Sequence, residues 1–196
     1  MKKIEQKIDE AFRNTFLFPR EKVVTDFLAG VMNSKYKFRE DDQKIEVISL
    51  YYYASSPLSF LFAMPHYGYY SPDKTTGIAE LHVKEYALED YSAADVQELC
   101  KTVLDENGID YSAYLDEEDQ LDYAHYWENQ FGLECDFLMN CWRHAKEKTQ
   151  SKMLGFLESS DSGGGMYDLN NGYDVPFDVD LDEYLQAQGF SIQKVN

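Results

Sequence analysis

Ile45-Glu46-Val47-Ile48-Ser49-Leu50-Tyr51-Tyr52-Tyr53-Ala54 is followed by Ser55-Ser56-Pro57 and then by Leu58-Ser59-Phe60-Leu61-Phe62-Ala63-Met64-Pro65-His66-Tyr67. β-Branched and aromatic side chains crowd both runs, and a short polar break ending in proline separates them. Such side chains pack well on a pleated surface and lose rotamer freedom in a helix. The two runs therefore predict strands over 45–54 and 58–67, joined as a hairpin. They are too apolar to stand open to water on both faces, so helices are expected to cover at least one side. Downstream, Ala79, Leu81 and Val83 alternate with Glu80, His82 and Lys84, the period of a third, half-exposed strand.

Helical spacing dominates on either side of this strand region. Ile4, Ile8, Ala11 and Phe12 share one helical face, and Phe16, Leu17, Phe18 and Pro19 are expected to break that helix. Val23, Val24, Phe27, Leu28, Val31 and Met32 predict a second, more deeply buried one. Ser92 followed by Asp95 has the capping pattern, with Val96, Leu99, Cys100, Val103 and Leu104 lining a face that Gly108 ends. Leu121, Ala124, Trp127 and Phe131 define another apolar face, and Phe137, Leu138, Cys141, Trp142 and Ala145 a further helix. Residues 153–157 and 166–169 read as two short strands, with Asn170-Asn171-Gly172 as a turn and 182–188 as a last helix. Helices at both ends of an antiparallel meander, without βαβ alternation, give an α+β domain. At 196 residues with no long linker, the chain fits a single domain over 1–196.

Charge is distributed unevenly. The net charge is −18, and the stretch between Lys101 and Arg143 holds eleven carboxylates and no lysine or arginine. A second stretch, between Lys152 and Lys194, holds eight carboxylates and again no lysine or arginine. The first run is interleaved with Tyr111, Tyr114, Tyr123, Tyr126, Trp127, Phe131 and Phe137, so it reads as a folded acidic surface rather than a disordered tail. A field of this sign repels nucleic acid and anionic membrane and speeds encounter with a basic protein. Asp116, Glu117, Glu118 and Asp119 in a helical first turn would stabilise the macrodipole, but that does not account for Asp122, Glu128, Glu134 and Asp136. Glu118, Asp119, Asp122 and Tyr126 are the candidate partner-binding residues, because they are predicted on the water-facing side of one helix. The bland reading of the same charge is solubility alone.

No catalytic or metal motif survives inspection, and no cofactor is implied. Asp178, Asp180 and Asp182 have the spacing that opens a calcium loop, yet Glu183 stands where the loop needs glycine, so a helix cap explains them better. Ser162-Gly163-Gly164-Gly165 lacks the lysine of a phosphate cradle and is flanked by Asp161 and Asp168. Cys141 and His144 are spaced to share a helical face, but two ligands do not make a zinc site. The N-terminus lacks an apolar signal region, and no apolar run reaches the roughly 18 residues of a membrane span. Cytoplasmic localisation is the resulting expectation.

The run Phe137-Leu138-Met139-Asn140-Cys141-Trp142, then Met153-Leu154-Gly155-Phe156-Leu157, then Tyr167-Asp168-Leu169-Asn170-Asn171-Gly172 resembles the closing part of bacterial immunity proteins of the SUKH type. There a helix leads to a short strand and then to a strand ending in a turn-forming aspartate or asparagine. The resemblance implies a cytoplasmic antidote that binds and blocks a toxin domain, often a basic nuclease, with no catalysis of its own. The competing classes are a small bacterial enzyme, which would need a pocket of converging polar groups that the sequence does not advertise, and an adaptor.

Cys100, Cys135 and Cys141 are odd in number and lack paired spacing, which fits reduced thiols. Thiol titration under denaturing, non-reducing conditions is expected to count all three. Recovery of only one would reveal an intramolecular disulfide and contradict the reading.

Overall fold

The computed structural model describes residues 2–35, 47–52, 60–64, 79–82, 91–111, 122–159, 166–175 and 181–187. They combine helices with strands, the α+β class: α1 (Lys2–Phe12), α2 (Phe18–Met32), β1 (Val47–Tyr52), β2 (Phe60–Met64), β3 (Ala79–His82), α3 (Ala93–Glu106), α4 (Asp122–Thr149), β4 (Leu154–Ser159), β5 (Met166–Asp168), β6 (Tyr173–Val175) and α5 (Leu181–Ala187).

The hairpin expected from 45–54 and 58–67 is present as β1 and β2, antiparallel, with Leu50 opposite Leu61. β3 pairs antiparallel with β2, placing Leu81 opposite Leu61. On the other side β4, β5 and β6 form a second antiparallel run. The sheet order is β3-β2-β1-β4-β5-β6, and its two halves meet at β1 and β4, which run parallel in the register Val47 to Leu154. A single antiparallel meander is therefore corrected to a mixed sheet. A parallel pair cannot be closed by a tight turn, and here α3 and α4 lie in the chain between its two strands.

The break expected at Phe16 to Pro19 does not end the first helix. Arg13–Leu17 instead forms a π-helical turn, with the Phe18 N–H bonded to the Arg13 carbonyl five residues back. Pro19 has no N–H, and the wide turn delivers it to the first turn of α2, where none is needed. Phe16 and Leu17 are buried as a result. α3 opens as its sequence predicts: Ser92 Oγ accepts from the Asp95 N–H, and the Asp95 carboxylate accepts from the Ser92 N–H at 2.7 Å. Gly108, at φ +69°, closes it.

α4 is longer than its periodicity suggested. The apolar residues read from Ala124 to Phe131 and from Phe137 to Ala145 belong to one 28-residue helix, since a lone glycine weakens a helix by only about 1 kcal/mol, and Leu121 lies outside the described residues. It packs on α2, and α1 packs on α3. Ile8, Phe12, Leu28, Leu104, Leu138, Cys141 and Trp142 belong to the joint core, which Leu157 of β4 enters from the sheet. Leu154 and Phe156 alternate with Gly155 and Leu157, and all four are buried, so β4 is covered on both faces.

Trp142 seats the helix on that strand. A Cβ at Gly155 would stand 2.7 Å from two indole carbons, so only glycine lets the ring approach the strand. The indole N–H donates to Asn170 Oδ1 at 3.0 Å. Gly155→Ala is expected to cost about 1 to 3 kcal/mol by overpacking, and Trp142→Ala about 3 to 5 kcal/mol by cavity formation. Adding Trp142→Phe to Gly155→Ala should recover part of the loss. Urea unfolding followed by far-ultraviolet circular dichroism measures this, and strict additivity would show that the two residues do not share the contact.

Candidate functional site

The acidic run approaches and enters α4. Asp122 and Tyr126 lie one turn apart on the backbone of its N-terminal end, the spacing that places two residues on one face. Glu118 and Asp119 lie outside the described residues, as do 162–165, Asp178 and Asp180. Asp105, Glu106 and Asp136 are exposed.

Glu134 does not belong to this surface. Its side chain is 0% exposed, and it receives hydrogen bonds on Oε1 from the Tyr91 hydroxyl and from Gln130 Nε2, the latter at 3.0 Å. Tyr91 and Gln130 are buried as well. The Tyr91 ring packs on Phe12 and Phe16, and the Arg20 guanidinium carbon lies 5.2 Å from its centroid. Assigning Glu134 to the unexplained acids of a solvent face was an error of helical phase. Once α4 is continuous, Gln130 and Glu134 continue the stripe of Leu138, Cys141 and Ala145 at spacings of three and four.

The sign of charge reverses along α4. Lys146 and Lys148 occupy its last turn, complementing the helix dipole. Each is engaged within the fold. Lys148 reaches Asp26 of α2 at 2.6 Å, and Lys22 reaches the other oxygen of the same carboxylate at 2.6 Å. These bonds, Lys148 first, hold the Asp26 carboxyl down to about 2. Lys146 donates to the Met153 carbonyl at 2.8 Å and to Asn170 Oδ1 at 3.2 Å. Burial lowers its affinity for a proton, and the charge of Asp168 opposes that shift.

Asp168 organises the turn after β5. Its Oδ1 accepts from the Asn170 N–H at 2.7 Å and from Asn170 Nδ2 at 2.8 Å. Its Oδ2 accepts from Asn171 Nδ2 at 3.1 Å and from the Tyr184 hydroxyl at 2.9 Å, which ties α5 to the sheet. Burial raises the Tyr184 phenol. A carboxylate enclosed by four donors, with Gly172 at φ +75° completing the turn, is a structural node.

The remaining candidates separate. Cys141 faces the core, where burial pushes its thiol up to about 12, and its Sγ donates to the Glu21 carbonyl at 3.9 Å. His144 lies at the surface, 3.3 Å from the Glu21 carboxylate. Cys100 and Cys135 are also buried, and neither is in a disulfide. Among the described residues no three His, Cys, Asp or Glu side chains are grouped so as to hold a metal ion. No helix among them is long and apolar enough to cross a membrane. Comparison with protein-family models, curated proteins and solved structures finds no match to this chain.

Two checks follow from these contacts. Asp168→Ala should destabilise the fold by about 1.5 to 3 kcal/mol, because bonds to a charged acceptor are lost, and Tyr184→Phe by about 1 kcal/mol. A neutral result for Asp168→Ala in urea unfolding would contradict its role. The Asp26 carboxyl is depressed, so its contribution is present above the unfolded value of about 3.9 and is lost as pH falls towards about 2. The acid limb of the melting temperature in that window should therefore be shallower in Asp26→Asn than in the parent.

Proposed function

We propose that the protein is an acidic binding protein that neutralises a basic protein partner by direct contact. Under this reading it is a cytoplasmic immunity protein of the SUKH type, and the partner is a toxin domain, a basic nuclease being the chemistry that fits the charge. A helix-covered sheet serves as the rigid support, and no catalytic step is assigned to the chain. One observation carries the proposal: the stretch between Lys101 and Arg143 holds ten carboxylates besides the buried Glu134, no lysine or arginine, and interleaved aromatic residues. The cations beyond that stretch support it, since Lys146 and Lys148 are engaged with Met153, Asn170 and Asp26 inside the fold.

Recognition then divides into two physical roles. Glu118, Asp119 and Asp122 set the long-range field that steers a basic cleft towards the surface, and Tyr126 supplies an amphipathic anchor at the contact. Steering acts mainly on association, because exposed charges attract over roughly a Debye length, about 10 Å at 0.1 M salt.

Affinity capture from the native host supplies the partner, and surface plasmon resonance against it supplies the test. Glu118→Lys with Asp122→Lys should slow association about tenfold or more at low salt and flatten its salt dependence. The circular dichroism spectrum should be unchanged. Full affinity with the original salt dependence would make this face a solubilising surface only.

A further inference from the structure

Two asparagines in the chain precede glycine, Asn107 and Asn171. A glycine carries no Cβ to hinder its backbone nitrogen, so Asn-Gly is the dipeptide in which that nitrogen most readily attacks the asparagine side chain. The nitrogen gives up its proton and bonds to Cγ, the Cγ–Nδ2 bond breaks, and ammonia leaves. Water then opens the resulting cyclic imide at either carbonyl. The product is aspartate or, with the chain rerouted through Cγ, isoaspartate.

At Asn107 this chemistry is open to water and held off by geometry. Asn107 is the C-cap of α3, and both it and Gly108 are exposed. A Cβ at Gly108 would meet nothing within 4 Å, so it is the φ of +69° and not crowding that calls for glycine there. Ring closure requires Asn107 Cβ to eclipse the Gly108 nitrogen, and at ψ 7° it is turned well away. The Gly108 N–H is bonded to the Asp105 carbonyl at 3.0 Å, and the Ile109 N–H to the Leu104 carbonyl at 3.0 Å. The side chain is held at both of its polar atoms. Nδ2 donates to the Val103 carbonyl at 2.6 Å, and Oδ1 accepts from the Lys7 ammonium of α1. Of these contacts, the one to Lys7 is made by a different element.

We propose that Asn107 is a deamidation site which the fold holds dormant, with Lys7 as its lock. Helix ends open locally at low cost, and opening the last turn of α3 frees the Gly108 nitrogen and lets ψ rotate. Lys7 opposes that opening by holding the amide oxygen, so the docking of α1 on α3 governs the rate. In the aspartate product a carboxylate replaces the amide. It adds to the acidic stretch beyond Lys101 and gives Lys7 a charged partner.

Asn171 serves as the internal standard, because its amide is held elsewhere. Its Nδ2 donates to Asp168 Oδ2 and to the Tyr184 hydroxyl, and the Gly172 N–H is bonded to the Asp168 carbonyl at 2.8 Å, contacts made by the turn after β5 and by α5. The experiment incubates the parent and Lys7→Met in warm, mildly alkaline buffer and follows both dipeptides by peptide mass spectrometry, which reads the conversion of amide to acid. Lys7→Met keeps most of the apolar stem and removes the donor. Asn107 should deamidate about threefold or more faster in the variant, the size of effect that one exposed hydrogen bond supports, with Asn171 unchanged. A rate at Asn107 that is unchanged or slower, or an equal acceleration at both sites, overturns the lock. The parent alone supplies a second measurement that does not depend on the variant folding. Asn107 should deamidate about tenfold or more faster in the urea-unfolded chain than in the folded one, and equal rates would refute the proposal.

Discussion

The contact between Trp142 and Gly155 fixes the relation of helix to sheet on which the other contacts depend. A flat indole needs a flat seat, and a strand offers one only where a side chain is missing. With the ring in place, α4 is aligned so that Lys146 reaches the start of β4 and the turn after β5, while Lys148 reaches α2. The same alignment places Cys141 against the Glu21 carbonyl. β4 can bear this load because it is central in the sheet, paired parallel with β1 and antiparallel with β5, and buried on both faces.

α4 also organises charge. Its C-terminal turn holds cations that complement the helix dipole and are drawn into contacts with α2 and the sheet. Its N-terminal end continues the long acidic run without a lysine or arginine. One helix thus has a basic end engaged in the fold and an acidic N-terminal end. The two buried carboxylates, Asp168 and Glu134, stand apart from that surface. Asp168 is enclosed by four donors and joins α5 to the turn after β5, while Glu134 accepts from Tyr91 and Gln130 and joins α4 to Tyr91.

Local signals in the sequence were strong wherever one residue type had a single use. Ser92 with Asp95 marked a cap, Gly108 and Gly172 marked left-handed turns, and the dense β-branched and aromatic runs marked β1 and β2. Long-range consequences were not legible. Nothing in β1 or β4 alone states that they pair in parallel, because that follows from how the intervening helices pack. Pro19 looked like a helix end because the π-helical turn that accommodates it has no signature of its own. Gly132 hid the continuity of α4, and with it the phase that puts Gln130 and Glu134 inside. The stripe of Leu138, Cys141 and Ala145, extended backwards at helical spacing, would have revealed both. Of the candidate partner face, the sequence supplied the charge pattern and the structure supplied the helical backbone at Asp122 and Tyr126.

The central claim is that the acidic run is the surface by which this protein meets a basic partner. Amide hydrogen exchange, compared with and without the captured partner, reads that surface directly. The account predicts slowed exchange in peptides spanning 112–129, with α1 and the β5–β6 turn unchanged. Protection confined to α1, α2 or the sheet, with 112–129 exchanging as in the free protein, would contradict it.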